Sequence, residues 1–354
     1  MKDIRKESLE SLQDWFEDSG EKKFRALQVW KWLYQKSVKD FDEMSNLSKP
    51  IKERLKSHFS ILPIRTANFQ KSSDDTIKSA FKLHDDELIE GVLIPSKGRM
   101  TACVSSQVGC SLSCKFCATG YMKRKRNLDA GEIYDQVVAI QQQAGKYYQR
   151  PLTNIVFMGM GEPLLNYKNV MEGISRITAD DGLGMSPKRI TLSTAGIAKK
   201  IVNLAEDGVK FNLALSLHAA NDMKRSQIMP INESNSLRSL KDALIYFYSK
   251  TKRPITFEYI IFQDFNDGTE DAHELYDFVK SIPSKVNIIE YNPISEINLS
   301  NTATNKMEYF KKFLENKKLT VNIRRSRGKD IDAACGQLAN KKEESPSLFL
   351  TGFE

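Results

Sequence analysis

Apolar residues recur at helical spacing in two early stretches, residues 7–16 and 24–35. Leu27, Trp30, Leu33 and Tyr34 mark the second, and Ser19-Gly20 breaks the chain between them. A third helix is predicted over 51–59, beginning near Pro50. Residues 1 to about 75 therefore read as a small, mainly helical unit. A β-rich stretch follows, with strands predicted over 79–83 and 88–94 on either side of His84-Asp85-Asp86. Beyond it the pattern alternates. Strands are predicted over 101–104, 154–158, 189–193, 211–216, 256–261, 285–289 and 321–324, and helices over 130–144, 167–177, 237–248, 271–279 and 307–315. Repeated β-then-α units imply a parallel sheet with helices outside it. Periodicity alone does not separate an open sheet from a full or partial barrel; in a barrel the site lies at the C-terminal strand ends. The expected organisation is a helical unit over 1–75, a β-rich connector over 76–95, an α/β core over 96–340 and a tail over 341–354, with the stretch from Asn340 onward expected to be mobile.

The composition of the 354 residues, 40% apolar and 28% charged, is that of an ordinary globular chain and argues against disorder or a disulfide mini-protein. No stretch approaches the roughly 18 uninterrupted apolar residues of a membrane span, and the charged start, Met1 to Glu7, leaves no room for a secretory apolar region. A cytoplasmic protein without a membrane partner is expected. The net charge of +8 attracts phosphate backbones, though many basic proteins bind no nucleic acid. Lys22, Lys23, Arg25, Lys31 and Lys36 in the helical unit are candidate RNA contacts, or simply a solvated surface.

The five cysteines change the picture. Cys110, Cys114 and Cys117 form a C-x3-C-x2-C run just past a predicted strand, Cys103 precedes it, and Cys335 stands alone. An odd count in a reducing compartment points to metal or catalytic thiols. Three thiolates on one loop can hold three irons of a [4Fe–4S] cluster and leave the fourth iron open. Zinc would want four ligands, and besides Cys103 only four scattered histidines are available. Structural zinc and unligated thiols are the alternatives.

This spacing, with Phe116 before the last cysteine, resembles the radical SAM superfamily, in which the open iron binds S-adenosylmethionine. The superfamily's second signature, a glycine-and-glutamate motif after the second strand, is matched by Met158-Gly-Met-Gly161-Glu162-Pro163. The resemblance narrows over five runs: Cys103-Val-Ser-Ser-Gln-Val-Gly-Cys110, Met158 to Asn166, Leu192-Ser-Thr-Ala-Gly196, Ser216-Leu-His-Ala219 and Asp330-Ile-Asp-Ala-Ala-Cys335-Gly-Gln-Leu338. Together these are similar to the RlmN/Cfr adenine methyltransferases. Arg25-Ala-Leu-Gln-Val-Trp-Lys-Trp32 resembles the accessory domain of the RlmN branch, and Pro163 favours that branch over the Cfr-like one, which tends to carry alanine there.

The resemblance implies a partial (β/α) barrel radical SAM core with a small N-terminal helical accessory domain. It implies Cys110, Cys114 and Cys117 as cluster ligands, with Gly161, Glu162, Ser193, Ser216, Leu217, His218 and Asn292 as S-adenosylmethionine contacts. Cys335 matches the cysteine that is itself methylated, Cys103 its transient disulfide partner, and Glu90, in Glu90-Gly-Val-Leu-Ile-Pro95, a proton acceptor. Without it, Cys335 and Cys103 would each read as a small buried hydrophobe, and Ser193, Ser216 and His218 as strand-end caps. One departure stands out: Lys123-Arg-Lys-Arg126 follows the cysteine run where the family commonly has a glycine-aromatic pair. Phosphate contact by this loop is the favoured expectation over a solvated loop.

The implied reaction places a methyl group on C2 of an adenine, a carbon that is not nucleophilic and whose C–H ordinary bases do not usefully deprotonate. The family uses two S-adenosylmethionine molecules: the first methylates Cys335, and the second yields a radical that activates that methyl group for addition to the base. Cys103 then attacks the sulfur of Cys335 to release the product. The implied substrate is an adenosine in the peptidyl-transferase region of 23S rRNA. An adenosine beside the anticodon of some tRNAs is a second, and either must be unstacked or flipped. A flavodoxin-like electron donor and a monomer are expected. The competing readings are a Cfr-like enzyme acting on adenine C8, a radical SAM enzyme with a small-molecule substrate (which should lack the Cys103/Cys335 pair), and an RNA-binding protein with a structural metal.

Overall fold

In the computed structural model, which describes residues 1–340, the chain begins with three helices, α1 (Leu9–Asp18), α2 (Phe24–Tyr34) and α3 (Lys49–His58). The Ser8 side chain caps α1 by accepting from Ser11 N–H, and α1 ends before Gly20 at φ +77°, a left-handed backbone that glycine adopts freely. Arg5 fastens this unit to the core. Its buried guanidinium bridges Asp3 and Asp135 and donates to the carbonyl of Leu62. Arg176 lies over the Trp30 ring at 3.8 Å from its centroid, a second cross-tie.

Ten strands form one continuous sheet: β1 (Arg65–Lys71), β2 (Ile77–Lys82), β3 (Leu88–Ser96), β4 (Arg99–Cys103), β5 (Asn154–Phe157), β6 (Ile190–Thr194), β7 (Asn212–Ser216), β8 (Ile255–Ile261), β9 (Ser284–Glu290) and β10 (Thr320–Arg324). Their spatial order follows the chain. The pairings from β1 to β4 are antiparallel, and those from β4 to β10 are parallel. Helices α4 (Ala130–Tyr148), α5 (Tyr167–Thr178), α6 (Ala198–Glu206), α7 (Asp222–Ile228), α8 (Leu237–Thr251), α9 (Thr269–Val279) and α10 (Thr304–Asn316) carry the crossovers. Helix α4 starts where Glu132 folds back to accept from Asp129 N–H at 2.9 Å. The β8 sequence ITFEYII is buried throughout, as a strand covered on both faces requires.

The sheet curls. Arg324 at the end of β10 brings Nη1 to 3.9 Å from the Met158 sulfur just beyond β5, five strands away in the sheet order. The sheet edges are joined by side chains and a loop instead of a strand pairing. Ser72 Oγ and Ser73 N–H donate to the Asp330 carboxylate at 2.5 and 3.0 Å, and Gly328 N–H donates to Asp74 at 2.9 Å. This is a partial barrel with a non-strand seam.

Three sequence expectations need adjustment. Residues 65–71 are strand β1, not part of a helical segment reaching 75; they pair with β2 through a register shift at Thr66/Asn68. Helices α6 and α7 were not foreseen. Asn340 is anchored by two hydrogen bonds, to Leu88 O through Nδ2 and to Glu90 through its N–H; the rest of the expected tail, 341–354, lies outside the described residues. Among the described residues no helix is long and apolar enough to cross a membrane.

Candidate active site

The C-terminal ends of the parallel strands open onto one cavity. Its floor is the cysteine loop. Gly109, at φ +73°, brings the chain so close to Lys123 that a Cβ would lie 2.5 Å from the Lys123 carbonyl oxygen. Beyond it Cys110, Cys114 and Cys117 are half-buried free thiols on the cavity wall. Phe116 between them packs edge-on against His218, with ring centroids 4.7 Å apart.

Burial pushes the Cys110 thiol up to about 11, with Cys117 and Glu162 adding repulsion, and raises Cys114 and Cys117 as well. Three thiols held together in this way become thiolates when positive charge reaches them. Among the described residues no three His, Cys, Asp or Glu side chains converge on a single-ion position. A polynuclear cluster that each thiol approaches through a different iron suits this loop better than one tetrahedral ion.

One side of the cavity is made by the turn after β5. Gly161 sits at φ +91°, and a Cβ there would lie 2.5 Å from Gln107 Cβ. Glu162 is buried; it accepts from Leu164 N–H at 3.0 Å and Ala195 N–H at 2.7 Å, and burial raises its carboxyl above the usual range. An ammonium group is the natural complement for its remaining lone pairs. Ser193 and Ser216, at the tips of adjacent strands, face each other with hydroxyls 3.4 Å apart.

His218 has φ +56°, and its Nδ1 accepts from Ile260 N–H at 3.0 Å, which leaves the proton on Nε2. Burial and then Arg225 hold its pKa down to about 3, so the ring stays neutral. Leu217 contributes backbone only: its buried side chain is off the cavity wall, while its N–H donates to Glu258 O and its carbonyl accepts from Arg225. Asn292 is buried beside the wall; its Nδ2 donates to Cys335 O at 3.0 Å and its Oδ1 has no partner among the described residues. An orphaned acceptor, a buried carboxylate and a glycine cradle form a donor and acceptor set that fits an amino acid moiety.

The opposite wall is the segment after β10. Cys335 is exposed into the cavity, and its neighbour Gly336, at φ +84°, accepts from Ala118 N–H at 2.7 Å, tying this segment to the cysteine loop. Cys103, at the end of β4, lines the same cavity but is buried. All five cysteines are free thiols. Burial raises Cys335 to about 11, with Arg324 pulling the other way, and Cys103 to about 12.

Arg324 and its ion-pair partner Glu258, 3.3 Å apart, are wall residues that the sequence reading missed. The signal was there, since Arg324 ends a predicted strand at the same level as Ser193 and Ser216. Glu90 is placed differently from the other candidates. Its carboxylate is off the cavity wall and accepts from the N–H groups of Ala339 (2.9 Å) and Asn340 (3.2 Å), with Lys78 at 3.6 Å. The basic loop is also partly spent: Arg126 pairs with Asp85 and Glu132, and Lys125 with Glu87. Phosphate contact by the whole run is thus reduced to Lys123 and Arg124, which are exposed.

A family model for the ribosomal RNA large subunit methyltransferase N-terminal domain matches residues 3–61, and one for the radical SAM superfamily matches 104–279. The chain is 61% identical over 339 residues to the probable dual-specificity RNA methyltransferase RlmN of Cytophaga hutchinsonii, covering 96% of this chain and 93% of that protein. The counterpart from Salinibacter ruber is 44% identical over 351 residues, covering 97% and 95%. The crystal structure of a radical SAM methyltransferase from Sphaerobacter thermophilus superposes with a TM-score of 0.90 at 36% identity, covering 96% of this chain and 99% of that one.

Proposed function

Because the chain belongs to the RlmN family of radical SAM RNA methyltransferases, we propose that it methylates C2 of an adenosine in the peptidyl-transferase region of 23S rRNA, and of the adenosine beside the anticodon in some tRNAs. The observation that carries this reading is the meeting of two further thiols, Cys103 and Cys335, with the three-cysteine loop in one cavity. A small-molecule radical enzyme has no use for that pair.

Cys110, Cys114 and Cys117 would hold the [4Fe–4S] cluster. Gly161, Glu162, Ser193, Ser216, His218 and Asn292 would hold S-adenosylmethionine, with Leu217 acting through its backbone. When bound, the two supply the methyl group and the radical that activates it. Glu162 receives the ammonium end, and neutral His218 offers an Nε2 proton donor into the cavity. Cys335 carries the one-carbon unit to the base. Cys103 then attacks, as its thiolate, the sulfur of Cys335: an S–S bond forms, the bond from that sulfur to carbon breaks with its electron pair passing to the base-bound carbon, which takes a proton to become the methyl group, and an external reductant restores both thiols.

Arg324 lowers the cost of the Cys335 thiolate when it first takes up the methyl group, and of the Cys103 thiolate at the later attack. Glu90 is assigned as the proton acceptor for the C2 hydrogen, and to reach the base its carboxylate must first release Ala339 and Asn340. A flavodoxin-like protein is the proposed donor of electrons, and the enzyme is proposed to act as a cytoplasmic monomer. The N-terminal helical unit, which ends before strand β1, gives a second grip on RNA.

The test is anaerobic turnover on a protein-free rRNA fragment, with nucleosides resolved by mass spectrometry. A 2-methyladenosine product supports the reading. An 8-methyladenosine product moves the enzyme to the Cfr-like chemistry, and no methylated nucleoside overturns it.

A further inference from the structure

Arg225, on α7, is fully buried, yet among the described residues no carboxylate forms an ion pair with it. Asp222, which acts on it through space, spends its carboxylate on Asn232 Nδ2 and Leu237 N–H, both at 2.9 Å. The guanidinium is turned instead on four uncharged oxygens. Nε donates to Leu217 O at 3.1 Å, Nη1 to Asn232 Oδ1 at 2.8 Å, and Nη2 to Ala195 O at 2.5 Å and Ser216 O at 3.3 Å.

Two properties follow from this placement. Ala195 follows β6, while Ser216 and Leu217 end β7, so one side chain clips together the two strand tips that carry Ser193, Ser216 and His218. The Ala195 peptide is gripped from its other side by Glu162, through its N–H at 2.7 Å. The second property is charge. A buried cation without a counter-ion is costly, and burial lowers its pKa only to about 10, so it stays charged at neutral pH. The helix that carries it ends against the three-cysteine loop, where Lys115 N–H, between Cys114 and Cys117, donates to Ile228 O at 3.0 Å. The protein supplies a positive charge and leaves the negative one to be brought in.

We propose that Arg225 is the built-in counter-charge of the cluster held by Cys110, Cys114 and Cys117, and also the clip that sets the strand tips receiving S-adenosylmethionine; this rests on the functional reading above. A [4Fe–4S] cluster on three thiolates is a net anion and becomes more negative when it takes up an electron. A fixed cation on the helix that abuts the cysteine loop therefore favours the reduced form and raises the reduction potential. Arg225 is a positioning residue; it touches neither substrate nor the reacting atoms.

The test compares anaerobically reconstituted wild-type protein with Arg225→Lys and Arg225→Gln. Three quantities are read: iron and sulfide content, midpoint potential by EPR-monitored titration, and S-adenosylmethionine affinity by equilibrium binding without turnover. Arg225→Gln is expected to load a cluster of lower potential and to bind S-adenosylmethionine about tenfold more weakly. Arg225→Lys keeps the charge but cannot span four acceptors, so it should retain the wild-type potential while losing a similar share of affinity. A wild-type potential in Arg225→Gln overturns the counter-charge. If that variant takes up no iron, Arg225→Lys decides: loading at the native potential supports the counter-charge, and failure to load, or a dropped potential, overturns it. Wild-type affinity in Arg225→Lys overturns the clip. A wild-type protein that assembles no iron–sulfide cluster overturns the functional reading itself.

Discussion

The side-chain amide of Asn292 donates to the main-chain carbonyl of Cys335 at 3.0 Å, while its own Oδ1 is buried without a partner among the described residues. Leaving a buried acceptor unpaired costs about 1–3 kcal/mol, so a donor that arrives with ligand recovers that amount. S-Adenosylmethionine should therefore raise the melting temperature of the wild-type protein more than that of Asn292→Leu. Equal shifts in differential scanning fluorimetry would remove Asn292 from the ligand site.

The two thiols proposed to act on the base, Cys103 and Cys335, differ in ease of ionisation. With Cys335 pushed up to about 11 and Cys103 to about 12, both are protonated at neutral pH, and each thiolate fraction grows about tenfold per pH unit below its pKa. Alkylation of Cys335 before cluster loading should follow that slope between pH 7 and 10 and outrun Cys103. Arg324→Ala removes the cation that lowers Cys335, so its pKa rises and labelling slows. Residue-resolved mass spectrometry of the labelled protein reads both.

Gly161→Ala places a Cβ 2.5 Å from Gln107 Cβ on a backbone at φ +91°. Strain and overpacking together should cost at least about 2 kcal/mol. Denaturant unfolding measures the loss, and S-adenosylmethionine binding should fall with it.

In the basic run, Arg126 is a structural residue and Lys123 is not. Arg126→Ala strands the buried Glu132 and should cost about 2–3 kcal/mol. The hydrogen bond from Arg126, then its charge, holds Asp85 down to about 2 from an ordinary 3.8. That depressed pKa contributes stability that is fully present above about pH 4 and lost as pH falls towards 2. The acid-dependent part should vanish in Arg126→Ala urea titrations. Lys123→Ala should leave stability unchanged and weaken only RNA binding, with a shallower salt dependence.

Glu90 grips the backbone of Ala339 and Asn340. Glu90→Gln keeps an acceptor for these amides, whereas Glu90→Ala does not. Limited proteolysis should cut after Leu338 faster in Glu90→Ala than in Glu90→Gln. Methylation should fail in both if the carboxylate moves the C2 proton; full activity in Glu90→Gln would leave it only the grip.

Much of this architecture was legible in the chain. Strands such as 256–261 are buried on both faces and so read as continuous apolar runs between polar breaks, and the helix periods between them follow from one-sided burial. Strand 65–71 escaped because its residues are mostly exposed on an edge and its ladder slips at Thr66/Asn68, which erases the period of two. The cysteine run is local and was visible as spacing. Arg324 opposite Glu258 and the grip of Glu90 on Asn340 are contacts across 66 and 250 positions of sequence, and only the curl of the sheet creates them.

That curl ends in the junction of Ser72, Ser73, Asp74, Gly328 and Asp330. Four hydrogen bonds at roughly 1 kcal/mol each, one of them from Arg327 Nη1 to Asp74 O at 3.3 Å, and the Arg327–Asp74 ion pair hold it, where neighbouring strands of the sheet are joined by backbone ladders. The ring therefore has one preferred place to part. The arc that carries the cysteine loop is thus held by backbone ladders, and the arc that closes the ring by side-chain hydrogen bonds and one ion pair.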